Sequence, residues 1–158
     1  MGMLPDINKF EVISLDTEST GLRYPRDKAF GVSVSTPDGK DYYWDLRKWP
    51  NYKTVLTSWL LMYKGTIVCH SASFDIKMLV AAGVDITSMI SQFDCTAVRA
   101  CLINEHESTI FPWTRGRGNY SLDYLGQKYL GIRKDQSFYD KARTYFGAEL
   151  TNKKVMSG

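Results

Sequence analysis

The stretch "VISLDTESTGL", residues 12–22, sets two acids on a run that otherwise reads as a buried strand, and then stops it with Ser-Thr-Gly. Residues two apart on a strand share a face, so Asp16 and Glu18 project side by side. Two carboxylates that close repel one another unless a cation lies between them. Hard divalent ions such as Mg²⁺ take oxygen ligands, commonly one or two carboxylates with water and substrate phosphate, and a D-x-E at a strand end supplies them. A solvated strand end accounts for the same triplet, and the rest of the chain has to decide between the two.

The surrounding pattern is α/β. "EVISLDTE" (11–18) and "AFGVSVST" (29–36) are β-rich and apolar, and the turn signal "PDG" (37–39) leads into "KDYYWDL" (40–46). These are three consecutive antiparallel strands, the last two a hairpin. After Pro50, "NYKTVLTSWLLMY" carries Val55, Leu56, Trp59, Leu60 and Met62 at helical spacing behind Asn51 as N-cap. "GTIVCH" (65–70) has strand length, and "SASFDIKMLVAAG" then puts Phe74, Met78, Leu79 and Ala82 on one helical face that ends at Gly83. "QFDCTAVRACLIN" reads as a short strand feeding a helix from about Cys95. "SLDYLGQKYLG" (121–131) is an amphipathic helix capped by Ser121 and stopped by Gly131, and "SFYDKARTYFG" is one more helix. Strands first, then strand-helix alternation, predict a mixed sheet of about five strands flanked by helices.

A chain of 158 residues holds one domain with a real core and is short for two, so a single domain over 1–158 is expected. With 44% hydrophobic and 23% charged residues and no low-complexity tract, disorder and solenoids are excluded. Cys69, Cys95 and Cys101 form no CxxC pair, and only His70 and His106 could join them, which argues against a zinc site or disulfide framework and for a reducing cytoplasm. The start "MGMLPDINKF" lacks a signal-peptide pattern, Asp6 does not fit a myristoylation motif, and no stretch approaches the roughly 18 apolar residues of a membrane span. A soluble, cytoplasmic protein with no membrane partner is expected. Net charge is +3, yet residues 114–158 hold nine Lys or Arg against four acids, while 1–113 hold eleven against thirteen. That asymmetry suits a polyanionic partner or, more plainly, a solvated basic face. The irregular stretch "EHESTIFPWTRGRGN" (105–119) mixes Phe111 and Trp113 with Arg115 and Arg117, stacking groups beside phosphate-pairing ones; a surface loop without ligand reads the same way.

Asp75 opens the helix that comes after "TIVCH", a strand whose end can lie beside that of the first. An acid there is also what the helix macrodipole favours. At this point "LDTESTGL" (15–22) and "CHSASFDIKML" (69–79) together resemble the first two motifs of the DEDD, or DnaQ-like, 3′-5′ exonucleases, whose fold is the RNase H-like mixed sheet. "FDC" (93–95) and "YSLDYLGQKYLG" (120–131) resemble the later segments of the proofreading domains of family A DNA polymerases, especially phage ones, so the likeness runs from about Phe10 to Gly131. The resemblance implies that Asp16, Glu18 and Asp75 hold two catalytic Mg²⁺ or Mn²⁺ ions. It implies that Ser19, Thr20, Gly21 and Leu22 receive the terminal nucleotide; Phe74 and, from their residue types, Arg115 and Arg117 are further candidate substrate contacts. Leu22 matches a position that wedges between terminal bases; plain core packing is its other reading. The implied substrate is a single-stranded DNA 3′ end, cut to nucleoside monophosphates in the cytoplasm, the host's if the gene is a phage's.

The resemblance also calls for a fourth carboxylate, within Tyr-x-x-x-Asp or His-x-x-x-x-Asp. Asp75, already the acid of the second motif, has His70 five residues before it, but no Asp later in the sequence fits: Asp123 has Asn119, Asp135 has Gly131 and Asp140 has Gln136 at the Tyr position. Its place falls just beyond "FGAELTNKKVMSG" (146–158), so the expectation is a chain that stops short of it, with a polymerase subunit or second chain completing the site. Asp94 and Asp140 are the candidate substitutes, against a helix-start role for Asp94 and a solvated helix face for Asp140. Ser71 stands where the family commonly has Asn, and His70 beside it reads as structural. Three carboxylates hold two divalent ions less firmly than four, so weak metal binding and low turnover are expected. The alternatives are a catalytically weak single-strand-binding piece of a split polymerase, and an ordinary α/β scaffold with a protein partner.

Overall fold

The computed structural model describes residues 4–103, 120–132 and 144. The chain forms two compact units, Met1–Thr96 and Ala97–Gly158. The first contains a five-stranded sheet in the order β3-β2-β1-β4-β5, from β1 (Val12–Ser19), β2 (Ala29–Ser35), β3 (Asp41–Asp45), β4 (Thr66–Cys69) and β5 (Phe93–Cys95). β1 pairs antiparallel with β2 and parallel with β4, β2 pairs antiparallel with β3, and β4 parallel with β5. The mixed sheet and its three leading antiparallel strands are as the pattern predicts.

β1 alternates strictly. Ile13, Leu15 and Thr17 are buried, while Val12, Ser14, Asp16 and Glu18 are exposed. The buried set joins Val32 and Val34 of β2 and Ile67 and Cys69 of β4 in a core closed by Leu56 and Leu60 of α1 (Tyr52–Met62) and Met78 and Leu79 of α2 (Ala72–Ala81). The Tyr52 hydroxyl donates to the Ala82 carbonyl at 2.6 Å, tying the start of α1 to the end of α2. The other face carries Ser14, Asp16, Glu18, Ser33 and Ser35, with Asp16 opposite Ser33 and Glu18 opposite Gly31.

Two local features differ from expectation. Asn51 occupies the N-cap of α1 but makes no side-chain cap bond. Ser71, the N-cap of α2, has φ 69° and ψ 48°, the left-handed region, and also makes no side-chain cap bond. Its backbone adopts the turn that an Asn tolerates more easily, and no side-chain hydrogen bond compensates.

In the second unit, α3 (Thr96–Ile103, beginning on the last residue of the first unit) and α4 (Leu122–Leu130) are helical as predicted. The Ser121 hydroxyl accepts from the Tyr124 N–H at 3.3 Å, and Gly131 closes α4 at φ 69°. Of the predicted helix over 137–147 only Thr144, which is helical, is described; Phe111, Trp113, Arg115, Arg117, Asp135 and Asp140 lie outside the described residues. Among the described residues no helix is long and apolar enough to cross a membrane.

Candidate active site

The site begins where β1 outruns β4. Their register ends at Ser14 opposite Val68, while β1 continues to Ser19. A backbone N–H on that edge has no strand to bond, and a buried N–H must find an acceptor. For Thr17 the acceptor is Asp75, in the first turn of α2: its Oδ1 accepts from the Thr17 N–H at 3.1 Å and from the Thr17 hydroxyl at 2.8 Å. Asp75 is 1% exposed, so this carboxylate is a buried clamp between helix and strand. The parallel pairing brings the third acid to β1, as the strand order allowed. The clamp through Thr17 was not foreseen; its signal was a polar residue on the buried side of an alternating strand, which needs a partner.

The second oxygen of Asp75, Oδ2, is buried with no hydrogen-bond partner. Burial raises the Asp75 carboxyl, the Thr17 hydroxyl bond opposes that rise, and the nearby Asp16 charge adds to it, leaving the group at about 6. Burial, and then the charges of Asp75 and Asp16, also raise the Cys69 thiol, so Cys69 is a neutral apolar neighbour of both acids. An unpartnered buried carboxylate oxygen beside a second carboxylate is unfavourable until a proton or a cation meets it. All-oxygen donors of this kind suit a hard divalent ion. Among the described residues no three His, Cys, Asp or Glu side chains are gathered closely enough to form a complete metal cage. The donor chemistry fits, and the set present is partial.

Glu18 succeeds Asp16 on the same exposed face, and immediately after it the β1–β2 register shifts, Ser19 pairing with Ala29. A bulge here bends the strand and re-aims the residues beyond it. The Ser19 hydroxyl donates to the Gly21 carbonyl at 2.8 Å, shaping the turn. A Cβ on Gly21 would meet the Asp27 carboxylate oxygen at 2.6 Å, so glycine here serves a contact within the chain. Leu22 is 77% exposed, which excludes core packing. Phe74 is half-buried against the core. His70 Nδ1 lies 2.9 Å from the Thr96 hydroxyl, which donates to the Cys69 carbonyl at 3.4 Å, so the imidazole ties β4 to the end of β5. The Asp94 carboxylate accepts from the Cys95 N–H at 2.8 Å just before α3 begins, in keeping with a helix-start role.

A family model for 3′-5′ exonuclease matches residues 3–146. The chain belongs to that family. Among curated proteins this exonuclease chain is 52% identical to the DNA polymerase DpoZ of Vibrio phage phiVC8, over 99% of the chain and 24% of the polymerase. It is 39% identical to the DpoZ polymerase of Acinetobacter phage SH-Ab 15497, over 94% and 22%. The exonuclease chain thus spans about a quarter of the length of the curated relatives it matches. Two solved structures share its fold at 18% identity. Brucella melitensis NrnC with bound Mg²⁺ has a TM-score of 0.60 over 92% of this chain and 68% of its own. The POL domain of Pol1 from M. smegmatis, in complex with DNA primer-template and dNTP, has a TM-score of 0.63 over 94% and 24%. The fold is the RNase H-like mixed sheet.

Proposed function

We infer that this exonuclease removes nucleotides from the 3′ end of single-stranded DNA, releasing nucleoside monophosphates, with Asp16, Glu18 and Asp75 as the carboxylates that hold Mg²⁺ or Mn²⁺. The observation that carries the reading is the Asp75 carboxylate: clamped through one oxygen, unpartnered through the other, and close enough to Asp16 to feel its charge. The chemistry that two divalent ions supply when bound is charge stabilisation at the scissile phosphate and a water nucleophile at neutral pH. Thr17 fixes Asp75 against β1. Asp16 and Glu18 present their oxygens from the neighbouring exposed face. Ser19 and Thr20 shape the turn that receives the terminal nucleotide, Gly21 lets that turn close against Asp27, and Leu22 offers an exposed apolar surface to the last base, with Phe74 at the edge. Arg115 and Arg117 are proposed as phosphate contacts from their residue types alone. The description of the curated relatives as DNA polymerases supports a place beside a polymerising activity.

The test is a 5′-labelled oligonucleotide incubated with the chain and Mn²⁺. Stepwise shortening from the 3′ end is expected, and Asp16→Asn should lower it by about 10³-fold, the rate equivalent of several kcal/mol of metal-borne stabilisation. Equal digestion by Asp16→Asn, or shortening from the 5′ end, would overturn the reading. A second reading, a single-strand-binding piece with little catalysis, is favoured by the partial donor set among the described residues. It predicts binding without digestion by either protein.

A further inference from the structure

The segment after Leu22, "RYPRDK" (23–28), belongs to none of the motifs above, yet hydrogen bonds hold it at its centre and at its base. Its centre is Asp27, 7% exposed, whose Oδ2 accepts from the Arg23 N–H at 2.8 Å while its own N–H donates to the Arg23 carbonyl at 2.7 Å. Its base is closed by the Thr20 N–H donating to the Lys28 carbonyl at 3.0 Å and the Lys28 N–H to the Thr20 hydroxyl at 3.1 Å. The Arg23 N–H holds the Asp27 carboxyl below the usual range, so it remains ionised as the hub of the loop. With the hub inside, Arg23, Tyr24, Arg26 and Lys28 are exposed.

Charge sets this loop apart. Residues 1–96 hold ten Lys or Arg against eleven acids, and three of those ten cations fall within residues 23–28. Lys9, Lys40, Arg47 and Lys48 are spent on Asp38 and Asp45, and Arg26 lies 3.5 Å from Asp27. Arg23 and Lys28, like the scattered Lys53, Lys64 and Lys77, make no ion pair among the described residues, and these two alone lie within one short loop. Two cations without an ion pair among the described residues and an exposed tyrosine on a fixed loop, one turn beyond Asp16 and Glu18, present phosphate-pairing and base-stacking groups at little ordering cost.

We propose that the Thr20–Lys28 loop is a pre-ordered docking surface for a single-stranded nucleic acid, Arg23 and Lys28 meeting backbone phosphates and Tyr24 stacking on a base. The loop grips the strand behind the terminal nucleotide. The proposal rests on the exonuclease reading for the polarity of that strand.

Binding of a 5′-fluorescein oligothymidylate to the full chain in EDTA, where nothing is cut, is followed by anisotropy across a salt series. For a single strand each phosphate contact contributes about 0.7 to the slope of log affinity against log salt, so Arg23→Gln/Lys28→Gln should flatten it by about 1.4 and weaken binding about 25-fold near 0.1 M salt. Lys53→Gln/Lys64→Gln removes equal charge elsewhere and should leave the slope in place. Asp27→Ala should weaken binding although it makes the chain more positive, because it removes the hub and not a cation. An unchanged slope in the first double variant, an equal loss in the second, or tighter binding by Asp27→Ala overturns the proposal. Digestion by the unaltered chain in Mn²⁺ is a separate measurement, so failure of the exonuclease reading shows there and failure of the loop shows in EDTA.

Discussion

Thr17 separates two kinds of carboxylate. Asp16 and Glu18, on either side of it, stand on the exposed face of β1, whereas Asp75, which it holds, is almost wholly buried. The buried acid is positioned by the fold: helix, strand end and hydroxyl fix it before any ligand arrives. The exposed pair takes its direction from the alternation of the strand. Position was thus secured on one side and solvent access on the other, and a cation joining the two sides would relieve the charge that burial concentrates on Asp75.

The widest break in that comparison is at the exposed pair. Glu18→Gln should match Asp16→Asn in lowering 3′ digestion by about 10³-fold with little change in unfolding midpoint, since it leaves the Asp75 clamp alone. Digestion at the original rate would return the pair to a solvated strand end.

Next in size is the pH response of the buried acid. Asp75 has an ordinary carboxyl value near 3.8 unfolded and about 6 folded, so between those values the folded chain binds more protons than the unfolded one. The contribution of this group to stability is therefore greatest below about pH 4, falls as pH rises, and by neutrality is lower by about 3 kcal/mol. In urea unfolding in EDTA from pH 4 to 7, the stability of the parent relative to Asp75→Asn should decline by about that amount. Mg²⁺ at about 100 times its Kd should return about 2.7 kcal/mol at pH 7. A Mg²⁺ effect of the same size in Asp75→Asn would place the ion elsewhere.

Thr17→Val keeps the strand and removes the hydroxyl. A loss of about 1–2 kcal/mol is expected in metal-free urea unfolding, for one bond to a buried carboxylate. Ser71→Asn acts at the turn that delivers α2 to β1, where a left-handed serine is strained; a gain of about 0.5–1 kcal/mol is expected from the same curves, with Ser71→Gly behaving alike. A loss in both would mean that the serine hydroxyl matters more than the backbone.

Much of this was legible in the chain itself. β1, α2 and their acids come from alternation, a helix-length apolar face and Gly83, all local signals. The side-by-side acids come from a two-residue spacing. Thr17's grip on Asp75 spans 58 residues and exists only because β4 ends before β1, which periodicity does not reveal. The burial of Asp27 has no mark in the sequence, because it comes from loop bonds that no hydrophobic pattern signals. Ser71 showed as a departure from the family pattern, and its physical meaning appeared only with its φ angle.

The early end of β4 has a consequence in time as well as in space. Within a sheet, amide protons are guarded by neighbouring strands and exchange with solvent only when the sheet opens. The Thr17 amide proton is guarded by a side chain on α2. Its exchange therefore measures how often the helix lets go of the strand, and it can run fast while the rest of β1 stays protected.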